Sequence, residues 1–163
     1  MAKKFEITET IHSEKIKTVR LADGTYTASA ANVYSDAEKG KAVKLSDDSR
    51  YVLCAVGDTI EGIVTSVNLG RYDDYTIGGI VSTGYKEVTF DGSQAAGTGT
   101  IAIGTYVVAG TPVAKGTALS AAVKVRSATD QAAAKAAPFK ARVVSLGSAG
   151  TGAVGTTGIV ELF

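Results

Sequence analysis

Three short runs of β-branched and aromatic residues alternate with turn residues between positions 62 and 90, GIVTSVNLGRYDDYTIGGIVSTGYKEVTF. The runs are GIVTSVNLG (62–70), YTIGGIVS (75–82) and YKEVTF (85–90), all rich in Val, Ile, Thr and Tyr. Runs of this composition that end at Gly, Asn or Asp predict β-strands joined by tight connections. We therefore expect the middle of the chain to be a succession of strands.

The same pattern continues on both sides of this stretch. Further strands are predicted at 42–45, 50–56, 100–110, 118–125, 142–147 and 158–163. At least seven strands, with helix below about a fifth of the chain, predict an all-β fold, either a sandwich or a small barrel of short antiparallel strands with at most one or two short helices. Its single core is expected to bury Val52, Leu53, Cys54, Val56, Ile63, Val64, Val107, Val143 and Val144.

The segment 127–138, SATDQAAAKAAP, departs from the strand pattern. It is Ala-rich, it has Ser and Thr near its start as N-cap candidates, and Pro138 would end a helix. We predict either one short helix or a surface loop.

Composition indicates a single globular domain. The 163 residues include 19 glycines and 2 prolines, and the formal net charge is +1. A chain of this length can bury one core, and its near-neutral charge does not favour nucleic acid or an anionic membrane as a partner. The start MAKKFEITET lacks the apolar region of a secretory signal, and no run reaches transmembrane length, so we expect a cytoplasmic site of synthesis.

Residues 1–20 differ from the rest of the chain, because they are dense in charge and contain no glycine. Their apolar residues Phe5, Ile7 and Ile11 hold no clean helical or strand period. We predict an N-terminal arm over 1–20, extended or paired as an edge strand, with a short helix around 13–19 as the alternative. A single β-rich domain over 21–163 follows.

The stretch GTGAVG (150–155) matches the GxGxxG pattern of a dinucleotide-binding turn. That turn needs a following helix that faces the pyrophosphate and an acidic residue about 20 positions further on. Here only TTGIVELF follows, which is strand-like and too short for either. We predict instead the connection of a β-hairpin, with Gly150, Gly152 and Gly155 at positive-φ and close-approach positions, and no nucleotide cofactor.

An internal similarity supports the hairpin. GIVTSVNLG (62–70) followed by IGGIV (77–81) resembles RVVSLG (142–147) followed by VGTTGIV (154–160). Either a duplication or a chance likeness between two hairpins would explain this similarity.

The sequence offers no set of residues for catalysis. The single cysteine, Cys54, lies in an apolar run that predicts a buried small side chain. The single histidine, His12, lies in the charged N-terminal segment, and Lys115 precedes Gly116 rather than following it, so GTPVAKGT (110–117) is not a phosphate-binding loop. We expect neither enzyme activity nor a small-molecule substrate.

Two pairs of aspartates are candidates for acid–base or metal-binding groups. Asp47–Asp48 and Asp73–Asp74 lie in turn-like contexts, where Asp bonds its own backbone, and neither has the alternating oxygen ligands of a calcium loop. We therefore predict no metal. Tyr72 and Tyr75 flank Asp73 and Asp74 in an exposed loop, which is a candidate contact patch or else ordinary loop surface.

Three parts of the chain, 57–92, 103–119 and 142–163, resemble the capsid decoration proteins of tailed phages, also called cement or head-stabilising proteins. The resemblance lies in a small domain rich in Gly, Ala, Thr and Val behind a polar, extended N-terminus. It implies a β-rich homotrimer that binds the major capsid protein on the virion exterior, after synthesis in the host cytoplasm. The candidate capsid contacts are the apolar residues of the arm, Phe5, Ile7, Ile11 and Ile16.

Two other functions compete with this one. A tail- or fibre-associated adhesin would recognise a host surface glycan through its Tyr-bearing loops. A lipoyl- or biotinyl-type carrier domain would need a lysine at a hairpin tip in a motif such as M-K-M, and neither Lys86 in YKE nor Lys115 in AKG matches it.

Overall fold

The computed structural model describes residues 15–21, 34–46, 50–69, 76–93 and 100–163. These ranges contain one helix, α1 (Gln131–Ala136), and a 3₁₀ turn at Asp36–Glu38. Their nine strands are β1 (Lys15–Leu21), β2 (Ala42–Leu45), β3 (Tyr51–Leu53), β4 (Gly62–Leu69), β5 (Thr76–Ser93), β6 (Tyr106–Ala109), β7 (Lys124–Ser127), β8 (Ala141–Ser145) and β9 (Thr157–Leu162). The all-β class, with more than seven strands and little helix, is confirmed.

Strand β5 belongs to two small barrels. Its first half, 76–83, pairs with β1 and β4, and the ring β1-β3-β2-β4-β5 closes as the first barrel. Its second half, 84–93, pairs with β9 and β7, and the ring β5-β7-β6-β8-β9 closes as the second barrel. The pairing that closes the first barrel is short, because β1 meets β3 only where Leu21 faces Tyr51.

The length of β5 differs from the prediction of two strands separated near residue 84. Gly84 has φ 123° and Gly92 has φ 94°, and the strand continues through both. A glycine with positive φ can twist a strand as readily as end it, so the sequence alone did not distinguish the two cases. Pairing is mainly antiparallel, as predicted, but β1–β3 and β5–β7 are parallel.

The two barrels repeat one arrangement strand for strand. The strands β1, β2, β3, β4 and the first half of β5 correspond to the second half of β5, β6, β7, β8 and β9, and every pairing has the same direction in both rings. The register also agrees. Val43 faces Leu53 and Gly62 in the first barrel, as Val107 faces Ser127 and Ala141 in the second. The internal similarity in the sequence thus extends to a structural repeat of a whole five-stranded barrel.

A glycine occupies the same packing position in each barrel. A Cβ on Gly78 would collide with the Leu21 side chain, and a Cβ on Gly158 would collide with the Phe90 ring. Leu21 and Phe90 are themselves equivalent positions of the repeat and are almost fully buried. In each barrel the large core side chain therefore packs directly against a glycine, where any Cβ would collide with it.

The buried apolar residues form two clusters rather than the single predicted core. The smaller cluster fills the first barrel with Leu21, Tyr34, Val43, Tyr51, Val64 and Ile80. The larger cluster fills the second barrel and also includes Ala42, Cys54, Ile60 and Ile63 from the first. Burial of these four side chains joins the two barrels, because apolar surface removed from water stabilises the contact.

Most of the predicted core residues are buried, and the one that is exposed lies after the end of β3. Cys54, Ile63, Val64, Val107 and Val143 are buried, and Val52, Leu53 and Val144 are half-buried. Val56 is 47% exposed, so that part of the prediction was wrong. The strand ends at Leu53, and Val56 lies in the turn that leads to Gly57, at φ 87°.

Helix α1 lies within the segment predicted as a short helix or a loop. Its N-cap is Asp130, whose carboxylate accepts hydrogen bonds of 2.9 Å from the backbone N–H groups of Ala132 and Ala133. The predicted Ser or Thr cap is therefore wrong, and Ser127 is the last residue of β7. The helix stops at the C-cap Ala137, directly before Pro138.

The GTGAVG segment is the connection of the β8–β9 hairpin, as predicted. Gly150 and Gly155 have positive φ, at 63° and 83°. Gly152 packs against the backbone of Ile101, where a Cβ would collide with the carbonyl group, and its own carbonyl accepts the Ile101 N–H at 2.9 Å. A strand, not a helix, follows these glycines.

Residues 15–20 of the predicted arm belong to β1. This strand pairs with β5 along its whole length, from Lys15 opposite Thr83 to Leu21 opposite Thr76. The extended interpretation therefore holds for 15–20, and the helix considered around 13–19 is not present at 15–19. Residues 1–14 lie outside the described residues.

Candidate functional site

Most of the predicted contact residues fall outside the described ranges. They are Phe5, Ile7 and Ile11 of the arm and Tyr72, Asp73, Asp74 and Tyr75 of the β4–β5 connection. His12, Asp47 and Asp48 also lie outside these ranges. Ile16 is described, on β1 opposite Val81, and it is 63% exposed.

A continuous row of side chains crosses four strands of the second barrel. In the sheet register, Tyr85 on β5 faces Glu161 on β9, Glu161 faces Arg142 on β8, and Arg142 faces Tyr106 on β6. Residues directly opposite one another on neighbouring strands point to the same face and touch. We call these four residues, together with Phe163, the Tyr–Arg row.

The row lies on the outer face of the barrel. Side chains alternate between the two faces of a strand, and the neighbours Leu162, Ala141 and Val107 all belong to the core. Tyr85 is 40% exposed and Phe163 is 37% exposed. The row is thus presented to solvent by strands whose opposite faces are fixed in the core.

An ion pair lies at the centre of the row. Arg142 Nη2 donates a hydrogen bond of 2.7 Å to Glu161 Oε2. This hydrogen bond, helped by the charge of Glu161, raises the pKa of Arg142. The pair holds the Arg142 side chain across the strands, which limits the rotamer freedom that a partner would otherwise have to restrict.

Aromatic contacts surround the ion pair. The Tyr106 and Phe163 rings pack edge to face with centroids 6.5 Å apart. The Arg142 guanidinium lies 5.5 Å and the Lys140 ammonium 5.3 Å from the Phe163 ring centre, within the range of cation–π attraction. Phe163 is held in place by two backbone hydrogen bonds with Lys140, of 3.0 and 3.1 Å.

A cation of the first barrel contacts an aromatic ring of the second. The Lys17 ammonium, on β1, lies 5.6 Å from the centre of the Phe139 ring, which precedes β8. Strand β1 therefore contacts the segment that leads into β8. The predicted contact residue Ile16 is the neighbour of Lys17 in sequence.

The composition of the row matches that of a protein-binding surface. Tyr, Phe and Arg are enriched at protein interfaces, and Tyr and Arg are also enriched among the residues that dominate binding energy. An outer sheet face with a central ion pair and flanking aromatic rings can bury apolar area and pair with charge at once. This is the most interface-like surface we find among the described residues.

Cys54 is buried and is not arranged as a nucleophile. Burial raises the pKa of its thiol to about 12, and the nearby Asp58 adds to the effect. Its sulfur lies 3.7 Å from the carbonyl oxygen of Thr59. A thiol with this pKa is protonated at neutral pH, and the thiolate is the reactive form.

Among the described residues, no three His, Cys, Asp or Glu side chains are grouped as metal ligands. No helix in those ranges has the length and apolar character to cross a membrane.

Comparison with known proteins gives no relative: no family model, curated protein or solved structure matches this chain.

Sequence reasoning did not find the Tyr–Arg row. Its members come from four strands and span positions 85 to 163, so only the pairing of the strands brings them together. The one local signal is that Arg142, Glu161 and Phe163 interrupt or end otherwise apolar strands. That signal is also what ordinary outward-facing strand residues would give.

Proposed function

We propose that this protein is a structural component of a virion that binds the outer surface of a phage capsid and stabilises contacts between major-capsid subunits. Its partner is the major capsid protein, and it acts as a homotrimer on the virion exterior after synthesis in the host cytoplasm. The role is a binding one, and the proposal assigns it no catalytic step.

The observation that carries the proposal is the exposed Tyr–Arg row on a fold of two closed barrels. A cement protein needs a surface that binds another protein and a fold that resists opening. The row supplies residue types that dominate protein interfaces. Two barrels that share one long strand supply the second property, because long-range strand pairings must break together for the fold to open.

The N-terminal segment provides a second contact in this proposal. Its apolar residues Phe5, Ile7 and Ile11 stand among charges, and Ile16 exposes its side chain where β1 begins. Such a segment gains by burying those side chains on a neighbouring subunit. Weak contacts made by many subunits on one capsid then produce firm overall binding through avidity.

The test is co-sedimentation of the purified chain with expanded capsids that lack any decoration. The proposal expects saturable binding, at a fixed ratio to capsid subunits, and an increased midpoint temperature of capsid disruption. Light scattering after size-exclusion chromatography measures the oligomeric state, for which a trimer is expected. Absence of capsid binding at micromolar concentrations would refute the proposed function.

The second candidate, an adhesin, is favoured by the same exposed aromatic rings. Tyr85, Tyr106 and Phe163 could stack on sugar rings as well as on protein side chains. Host cells and cell-wall glycans included in the sedimentation assay separate the two functions. Binding to cells and not to capsids would favour the adhesin.

A further inference from the structure

We propose that helix α1 and the Tyr–Arg row together form an end cap, which prevents a second copy of this chain from packing on the second barrel. The inference goes beyond the proposed function, because it concerns contacts between copies and does not depend on a capsid. It rests on the structural repeat: the face with which the first barrel contacts the second is equivalent to the face that the second barrel exposes.

The strand register gives the equivalent positions of the two faces. Tyr106, Arg142 and Glu161 of the second barrel correspond to Ala42, Ile63 and Val81 of the first. The three residues of the first barrel are buried, with 6%, 5% and 0% exposure, and Ala42 and Ile63 pack in the apolar cluster of the second barrel. In the first barrel this face is therefore the contact between the barrels.

In the first barrel, the connection after β3 binds the second barrel. It begins where the Cys54 N–H donates a hydrogen bond of 3.0 Å to the Ala42 carbonyl. The Gly57 N–H then donates to the carbonyl of Ala109, at the end of β6, and the Ala109 N–H donates to the Asp58 carbonyl, both at 2.9 Å. These backbone hydrogen bonds attach β6 of the second barrel to a turn of the first.

In the second barrel, the connection after β7 folds back on its own barrel. It begins in the equivalent way, because the Ala128 N–H donates a hydrogen bond of 2.9 Å to the Tyr106 carbonyl. Helix α1 then takes the place of the turn, and the Gln131 side chain accepts from the Tyr106 N–H and donates to the Tyr106 carbonyl, both at 2.8 Å. The connection that would attach a third barrel is thus bonded to β6 of its own barrel.

The Tyr–Arg row also differs from the buried face in charge. Arg142 and Glu161 replace two apolar residues and form an ion pair, and the Arg142 side chain is 42% exposed. A further barrel would cover this pair with apolar side chains such as that of Ala109, and removal of both charges from water without new partners is unfavourable. Terminal units of repeat arrays have polar outer faces for the same reason. A partner that pairs with these charges can still bind the row.

The first barrel still presents the strand end by which a barrel is attached. Leu45 on β2 corresponds to Ala109 on β6. Ala109 is 3% exposed and packs in the cluster that joins the barrels, whereas Leu45 is 47% exposed. Residues 46–50 replace the longer connection 110–123, so a second copy would lack the hydrogen bond from Gly116 to Glu38. We therefore expect packing between copies to be weaker than packing between the barrels, and to need removal of the end cap.

The first experiment removes the end cap in the full chain. Arg142→Ile combined with Glu161→Val gives these positions the residues of the first barrel, and a second variant adds Tyr106→Ala and Gln131→Ala to release helix α1. In light scattering at about 100 μM, each variant should have a weight-average mass at least about two-fold above that of the unmodified chain, because a head-to-tail contact adds copies. Circular dichroism and urea denaturation verify that each variant is folded.

Matched controls separate packing of barrels from general adhesion. Asp36→Val combined with Lys39→Ile converts another exposed ion pair, on the first barrel, to the same residue types and should leave the mass unchanged. Leu45→Glu, added to the Arg142→Ile and Glu161→Val variant, should return the mass to that of the unmodified chain, because it places a charge on the strand end that docks.

The outcomes decide between an end cap and an ordinary polar surface. If the folded variants keep the mass of the unmodified chain, α1 and the row do not prevent association, and the inference is wrong. Equal association of the control pair, or association that persists with Leu45→Glu, would indicate adhesion of apolar surface and would also overturn it. The proposed function is tested separately with capsids, and none of these results decides it.

Discussion

The carboxylate of Glu38, in the first barrel, accepts a hydrogen bond of 2.6 Å from the backbone N–H of Gly116, in the β6–β7 connection of the second. Glu38 is fully buried, and its other oxygen accepts the backbone N–H of Ser35 at 2.6 Å. Lys41 lies 3.5 Å from the same carboxylate and donates a hydrogen bond of 2.8 Å to the Ala114 carbonyl. One buried ion pair therefore binds both a donor and an acceptor of the connecting loop.

Replacement of Glu38 should loosen this connection. Glu38→Ala removes the acceptor for Gly116 and Ser35 and leaves the Lys41 ammonium buried without its carboxylate. Removal of one partner of a buried pair costs about 3–5 kcal/mol. We expect a loss of that size in the free energy of unfolding, measured by urea denaturation.

A matched control is available two residues away. Asp36 pairs with Lys39 at 2.9 Å, but the two side chains are 75% and 46% exposed. Exposed pairs contribute roughly 0–1 kcal/mol, so Asp36→Ala should change the free energy of unfolding by no more than that. Equal effects of the two substitutions would show that the buried pair has no special role.

Acid should destabilise the fold through two carboxylates. Burial by itself would raise the pKa of Glu38, but hydrogen bonds from Gly116 and Ser35 and the charge of Lys41 outweigh it and hold that pKa below the ordinary value of a glutamate. Burial would likewise raise the pKa of Asp91, but hydrogen bonds from Thr111 and Arg126 outweigh it and hold that pKa below the ordinary value of an aspartate. A lowered folded-state pKa stabilises above the unfolded value, and that stability is lost as pH falls through the folded value.

The expected pH profile follows from this sign. The free energy of unfolding should be nearly constant from pH 7 to about pH 5 and should then decrease towards pH 3. Glu38→Gln cannot titrate, so its profile below about pH 5 should be flatter than that of the unmodified chain. Urea titrations at several pH values measure both slopes, and parallel profiles would exclude Glu38 as a contributor.

Several strands of this fold could be located from sequence because a run of strand-forming residues is bounded on one side or both by residues that favour turns. This holds for Ala42–Leu45, which matches its prediction, and for β4, β8 and β9, which differ from theirs by a residue or two. It fails at Gly84, where the glycine twists β5 without ending it. The two uses of glycine share one residue type and differ only in tertiary context.

The repeat and the candidate site could not be predicted from the sequence, for a different reason. Leu21 and Phe90 occupy the same position over Gly78 and Gly158, yet a Leu in a charged segment and a Phe in a strand show no likeness in sequence. The Tyr–Arg row depends on the pairing order of four strands, which propensity does not encode. Only the hairpin shared by β4–β5 and β8–β9 left a detectable trace.

Within GTGAVG, two glycines should respond very differently to alanine. Gly152→Ala forces a Cβ into the backbone of Ile101, so we expect a loss of about 3 kcal/mol or more. Gly150→Ala meets open space and only has to adopt φ 63°, which costs about 1–2 kcal/mol. Thermal and urea unfolding measure the difference, and equal losses would contradict the close approach at Gly152.

Cys54 should not react with thiol reagents while the protein is folded. Its thiol is buried with a pKa of about 12, so the thiolate fraction is negligible at pH 8. We expect Ellman's reagent to label it only as fast as the fold opens, and immediately in concentrated urea. Cys54→Ala should lower the free energy of unfolding by about 1 kcal/mol without other effect. Rapid native labelling would show that the site is accessible.

Two N-terminal deletions should separate the arm from the barrel. Deletion of residues 2–14 stops before β1 and should change the free energy of unfolding by less than about 1 kcal/mol. Deletion of residues 2–18 removes Lys15 to Thr18, whose partners on β5 are Thr83 to Gly79, and should destabilise the first barrel by several kcal/mol.

The shorter deletion also tests the contribution of the arm to capsid binding. It removes Phe5, Ile7 and Ile11 and retains Ile16, Lys17 and the Tyr–Arg row. Under the proposed function it should weaken co-sedimentation with undecorated capsids without abolishing it, because the row still provides a contact in each subunit. If the shorter deletion co-sediments as well as the full-length chain, the arm is not an anchor, and the capsid is held by the barrel surface alone.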